Sequence, residues 1–166
     1  MLKKKFLIVW STLLFFPLLS QSHLEIGINY LNASHSSIGL GAYLEPRYAL
    51  SENLDLGLRL GLNGFIGEDQ SRTKSSRVTT GTLPLVSGSL IRRFLGEDAK
   101  GVPYVGLGPG LYLSEGINFR EGLKLGAGLR FGFFIGRSNI GFTHNFVPED
   151  SFFQLSYGFR LLDRGS

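Results

Sequence analysis

Leu54-Asp55-Leu56-Gly57-Leu58-Arg59-Leu60-Gly61-Leu62-Asn63-Gly64-Phe65-Ile66 is the stretch that decides the fold. Leu54, Leu56, Leu58, Leu60, Leu62 and Ile66 share one parity, while Asp55, Gly57, Arg59, Gly61 and Asn63 share the other. A period of two puts each set on its own face of an extended strand. A helix, at about 3.6 residues per turn, would scatter both sets around its surface.

The same alternation recurs outward from this segment. Ile26, Ile28 and Tyr30 alternate with Glu25, Gly27 and Asn29, and Leu40, Ala42 and Leu44 with Gly41, Tyr43, Glu45 and Arg47. Val105, Leu107 and Leu111 alternate with Tyr104, Gly106, Gly110 and Tyr112. Leu123, Leu125, Leu129 and Phe131 alternate with Lys124, Gly126, Gly128 and Arg130. Ile140, Phe142 and Phe146 alternate with Gly141, Thr143 and Asn145. Phe153, Leu155, Tyr157, Phe159 and Leu161 alternate with Gln154, Ser156, Gly158 and Arg160. Segment 78–94 also reads as a strand, but Leu83, Leu85 and Ile91 oppose Val86, Leu90 and Phe94 in parity. A bulge near Val86-Ser87 is one way to reconcile them, and its facing stays open. The count is eight strands.

Residue size orients these strands. The chain has 23 glycines in 166 residues, about twice the usual share of roughly 7%, and they sit mainly on the face opposite the leucines. A solvent-facing strand position has no need to be so small, and glycine weakens a strand. The inside of an eight-stranded barrel is narrow, so glycine with scattered Arg, Glu and Asp fits there, and rows of Leu and Phe fit hydrocarbon. The expected fold is therefore all-β: an eight-stranded antiparallel up-and-down transmembrane β-barrel, closed because lipid leaves no partner for an open edge. The alternative is a soluble, lipocalin-like periplasmic binder with its leucine rows turned inward.

The first 22 residues read differently. Lys3, Lys4 and Lys5 precede an apolar run from Phe6 to Leu19, and Ser20 and Ser22 stand at minus three and minus one of a cut before His23. That is the pattern of a secretory signal. The run holds Pro17 and is shorter than the roughly 20 residues that span a bilayer. The expected domains are a signal peptide, 1–22, and an outer-membrane barrel, 23–166. Removing the three lysines from 17 basic residues leaves 14 against 13 acidic ones, which gives no global basic surface and no case for nucleic acid. The chain has no cysteine, which excludes disulfide scaffolds, thiolate zinc sites and cysteine nucleophiles.

The linkers complete the topology. With the amino terminus in the periplasm, the connections near 31–37, 67–77, 114–122 and 147–151 point outward. Those near 51–52, 95–101 and 136–138 are periplasmic. The outward set is longer in sum. Tyr30, Tyr48, Phe146 and Phe152, near strand ends, suit the aromatic girdles of such barrels. The mature chain thus resembles the small eight-stranded outer-membrane barrels: outer membrane protein X, outer membrane protein W and the transmembrane domain of outer membrane protein A. The resemblance rests on signal, strand alternation and loop asymmetry. It implies residence in the bacterial outer membrane, contact with its lipids and lipopolysaccharide, and insertion by the barrel-assembly machinery. It also implies a surface partner at the outer loops as one possible role. The alternating segment Phe153 to Leu161 matches the terminal strand that such machinery reads, although Leu162-Asp163-Arg164-Gly165-Ser166 follows it.

The candidate site is a lumen charge cluster of Glu25, Glu45, Arg47, Asp55, Arg59, Lys124, Arg130 and Arg160. Opposite charges enclosed together must pair, because an isolated buried charge is very costly. The expected role is structural: a salt-bridged, glycine-lined filling with no open pore. No cofactor, metal site or catalytic residue is expected. The enzymatic alternative is a lipid A-modifying barrel, which needs a serine, a histidine and a carboxylate near the outer leaflet. His35 lies within Ser34-His35-Ser36, and His144 precedes Glu149, Asp150 and Ser151, but neither forms a recognisable catalytic motif. Gly106-Leu107-Gly108-Pro109-Gly110 lacks the Lys-Ser/Thr ending of a phosphate loop.

Overall fold

The computed structural model describes residues 23–33, 37–68, 78–94, 100–114, 122–148 and 151–163. They form eight strands: β1 (His23–Ala33), β2 (Ser37–Ser51), β3 (Leu54–Glu68), β4 (Val78–Arg93), β5 (Val102–Ser114), β6 (Gly122–Ile135), β7 (Ser138–Phe146) and β8 (Phe152–Asp163). Each pairs antiparallel with its neighbour in the chain, and β8 closes on β1 through a ladder from His23↔Asp163 to Ala33↔Phe152. Closure leaves no unpaired edge. The signal-peptide expectation falls on residues outside those described.

The strands run from 9 to 16 residues, longer at their ends than alternation alone marks. Both barrel termini and the tight turns Glu52-Asn53 and Gly136-Arg137 lie at one end, here the terminal end. The other, the loop end, carries connections that are longer in sum. Gly136 takes φ +56°, the left-handed region that favours glycine.

The leucine face points outward. Leu40 and Leu125 expose 70% and 71% of their surface, and Ile28, Leu62, Leu107, Phe133, Leu155 and Leu161 are exposed with them. An apolar belt around a whole barrel far exceeds the patches of soluble proteins and is the surface a bilayer covers. The soluble alternative required these rows inside.

Two expectations change. β4 has no bulge: its pairing with β3 runs unbroken from Leu54↔Arg92 to Glu68↔Val78. Leu83, Leu85 and Ile91 simply face the lumen, while Val86, Leu90 and Phe94 face out. Phe152 is not a girdle residue but a buried one, edge-on to Tyr112 at 5.8 Å. The reason is common to both: the barrel interior is partly apolar. Leu31, Phe65, Leu83, Leu85, Tyr112, Val147 and Phe152 pack together at the loop end. Ile91, Val102, Tyr104 and Phe134 form a second cluster nearer the terminal end.

Candidate functional site

Lumen glycines make room for three tyrosines. A Cβ at Gly27 would meet the Tyr43 ring, Cζ at 2.5 Å, and one at Gly132 or Gly141 would meet Tyr104 Oη, at 2.7 and 2.5 Å. At Gly110 it would meet Tyr112 Oη at 2.6 Å. Each ring therefore lies along the inner wall over glycine, Tyr43 and Tyr104 over neighbouring strands and Tyr112 over Gly110 of its own strand and Gly126 of the next.

Between the two apolar clusters sits a dense ionic network. Glu45, on β2, accepts from Arg47 Nε at 2.8 Å, from Arg59 Nε at 2.5 Å, and from Arg130 Nη1 at 2.9 and 3.0 Å. These arginines come from β2, β3 and β6, so one carboxylate ties three strands together across the interior. Glu25, on β1, accepts from Tyr43 Oη at 2.6 Å and Asn139 Nδ2 at 2.8 Å, and pairs with Arg47 Nη2 at 3.0 Å. The Arg59 guanidinium also lies 3.8 Å over the Tyr43 ring, a desolvated cation–π contact. Asp55 pairs separately with Arg93 at 3.2 Å, near the terminal end.

Two tyrosine-led relays frame this network. Tyr104 donates to Asn139 Oδ1 at 3.0 Å, and Asn139 Nδ2 donates to Glu25. Tyr112 donates to Asn145 Oδ1 at 2.9 Å, and Asn145 Nδ2 donates to Gln154 Oε1 at 3.5 Å. The hydroxyl at the head of each chain fixes the amides that follow.

Six of the eight sequence-predicted residues are buried in the lumen: Glu25, Glu45, Arg47, Asp55, Arg59 and Arg130. Arg160 is half-buried, stands beside Glu25 in the β1–β8 ladder, and lays its guanidinium 4.7 Å from the Phe134 ring. Lys124 departs from the cluster. It keeps the lumen parity but sits opposite Tyr112, six residues and so about 20 Å along β6 from Arg130. Sequence reasoning missed Arg93, the partner of Asp55, because it lay on the strand whose facing was open. It placed Tyr43, Tyr104 and Tyr112 on the lumen face without seeing that the glycines beside them are their seats.

A cavity of about 10 Å³ remains beside the network, between Arg59 and Arg130. It is far too small for an open channel along the axis. Among the described residues no group of three or more His, Asp or Glu side chains is arranged to hold a metal. His144 lies on the outer wall, its ring 4.1 Å from Phe146 and 4.3 Å from Phe153. His35, Glu149 and Asp150 lie outside the described residues.

No family model matches the chain, and no curated protein matches it in sequence. Solved structures match its fold. Neisserial surface protein A aligns at a TM-score of 0.59 and 15% identity, covering 83% of this chain and 94% of that one. The outer membrane enzyme PagL aligns at 0.58 and 10% identity, covering 81% and 98%. Ail, the attachment invasion locus protein of Yersinia pestis, aligns at 0.53 and 14% identity, covering 84% and 97%. The fold is thus that of the small eight-stranded outer-membrane barrels.

Proposed function

We propose that this chain is an exported outer-membrane barrel of a diderm bacterium, with a structural or surface-interaction role and no open pore. Residues 1–22 act as its signal peptide and 23–166 as the barrel domain. The observation that carries this reading is the inversion of the barrel: an apolar wall around a polar, filled lumen. Glu45 and its three arginines fill the middle of the bore, and the Leu31–Phe65–Phe152 cluster stops it at the loop end. A blocked interior leaves the wall and the loop end as the surfaces available for interaction. The wall meets lipids and lipopolysaccharide, and the outward rows of β8, Phe153 to Leu161, suit recognition by the barrel-assembly machinery. A surface partner would be met at the loop end.

The test is electrophoresis of membrane-extracted protein in SDS, boiled and unboiled, with fractionation of the cells. A closed barrel is expected in the outer-membrane fraction with a heat-dependent mobility. Recovery as a soluble periplasmic protein without a heat shift would overturn the reading. The likeness to PagL is one of fold, so the lipid A-modifying alternative is tested directly by lipid A mass spectrometry with and without the protein. No mass change is expected.

A further inference from the structure

We propose that the lumen binds one small monovalent anion, of the halide class, in the cavity between Arg59 and Arg130. The cavity holds about 10 Å³, the room of one water molecule; a halide, larger in radius by roughly a few tenths of an ångström, enters as the long Arg59, Arg130 and Gln154 side chains give slightly, and a larger polyatomic anion does not fit. Five of the side chains that line it come from five different strands, Arg59, Ser89, Arg130, Thr143 and Gln154, with Leu85, Ser87 and Asn145 beside them. Each of the five is more than nine-tenths buried. Each also brings a polar atom that hydrogen-bonds no protein atom: Arg59 Nη1, Ser89 Oγ, Arg130 Nε, Thr143 Oγ1 and Gln154 Nε2, with Arg59 Nη2 only 4.0 Å from Glu25 Oε1.

The chemistry of that set selects the ligand. Guanidinium and amide nitrogens donate only, and a hydroxyl can rotate to donate as well. The relay Tyr112→Asn145→Gln154 turns the Gln154 oxygen to Asn145 and leaves its Nε2 as the free end. All five of these groups can therefore act as donors. Water accepts two hydrogen bonds at most and carries no charge. Charge gives a second, separate argument. Among the fully buried groups of the central network, Arg47, Arg59 and Arg130 stand against Glu25 and Glu45, an excess of one positive charge with the half-buried Arg160 left out of the count, while Asp55 and Arg93 offset each other. A cation left without a counter-charge in a low-dielectric interior is strongly unfavourable. One anion beside Arg59 and Arg130 balances the network. This inference stands on lumen geometry alone and does not depend on which membrane holds the barrel.

The experiment uses the folded mature chain in detergent, with chloride varied at constant ionic strength against gluconate, which is too large for the cavity. Thermal unfolding is the readout. Tm is expected to rise with chloride and, once the site is saturated, to gain on the order of 3–5 °C per tenfold increase. Bromide-soaked crystals should show one anomalous peak within hydrogen-bonding reach of Arg59 and Arg130. Gln154→Glu keeps the acceptor for Asn145 and places a carboxylate in the cavity. It should fold, raise Tm in gluconate and abolish the chloride dependence. A wild-type Tm indifferent to chloride, or no bromide peak in the lumen, would overturn the proposal. So would an unchanged chloride dependence in Gln154→Glu, because the effect would then arise elsewhere. Should Gln154→Glu fail to fold, Thr143→Val decides instead: it removes one donor and should shift the chloride midpoint upward, and an unmoved midpoint counts against the site.

Discussion

The middle of the lumen and its loop end are filled by opposite means. In the middle, Glu45 alone receives three guanidiniums from three strands. At the loop end, Leu31, Phe65, Leu83, Leu85, Tyr112, Val147 and Phe152 fill the bore by shape. The two fillings fail differently. An apolar plug loses contacts in proportion to what is removed. An ionic filling is all-or-none: deleting one partner leaves others charged, buried and unpaired. The barrel therefore carries its fragility at the centre and its tolerance at the loop end.

Glu45→Ala tests this contrast most strongly. It strands Arg130 without its carboxylate and leaves Arg47 and Arg59 only Glu25. The expected loss is about 5 kcal/mol, the upper end for breaking a buried pair, because three contacts go at once. Urea unfolding in lipid vesicles measures it, and an unfolded product also fits. Leu83→Ala in the loop-end cluster should cost about 3 kcal/mol, set by cavity and lost transfer energy. If Leu83→Ala costs as much as Glu45→Ala, the contrast between the two fillings is broken.

The same contrast explains what the sequence disclosed. Charged lumen residues announce themselves, because Glu25, Asp55 and Arg59 interrupt rows that are otherwise apolar or glycine. Their parity, together with that of the glycines, gave the facing of seven strands. Apolar lumen residues carry no such mark. Leu83, Leu85 and Ile91 point inward from β4 while Val86 and Leu90 point outward, so a strand with two apolar faces has no alternation to read. Phe152 reads in the sequence as an interfacial aromatic for the same reason. Its partners Leu31, Phe65 and Tyr112 come from β1, β3 and β5, and only the closed ladder brings them together. Pairing was equally hidden. Arg93 finds Asp55 because the β3–β4 register sets Asp55 opposite Ile91, two residues away. Lys124 had the right parity and the wrong height, since parity fixes a face and says nothing of depth.

Glycine offers the finest version of the comparison, because the same residue serves two purposes on the two faces. Gly132 lies on the lumen side, where a Cβ would come within 2.7 Å of Tyr104 Oη and 2.8 Å of Gly141 Cα. Backbone cannot yield there, and moving Tyr104 disturbs its bond to Asn139 and thus the relay to Glu25. Gly132→Ala is expected to destabilise by about 1–3 kcal/mol, the range for overpacking. Gly64 is on the outer face of β3, where a Cβ would meet only Leu40 O, at 3.9 Å. Nothing there requires the missing side chain. A glycine inside a strand costs about 0.5–1 kcal/mol relative to alanine through lost backbone entropy, so Gly64→Ala should stabilise by that amount. Parallel urea titrations of the two variants are expected to move in opposite directions from wild type. Movement in the same direction would mean that strand propensity, and not the seating of tyrosines, accounts for the glycines in this barrel.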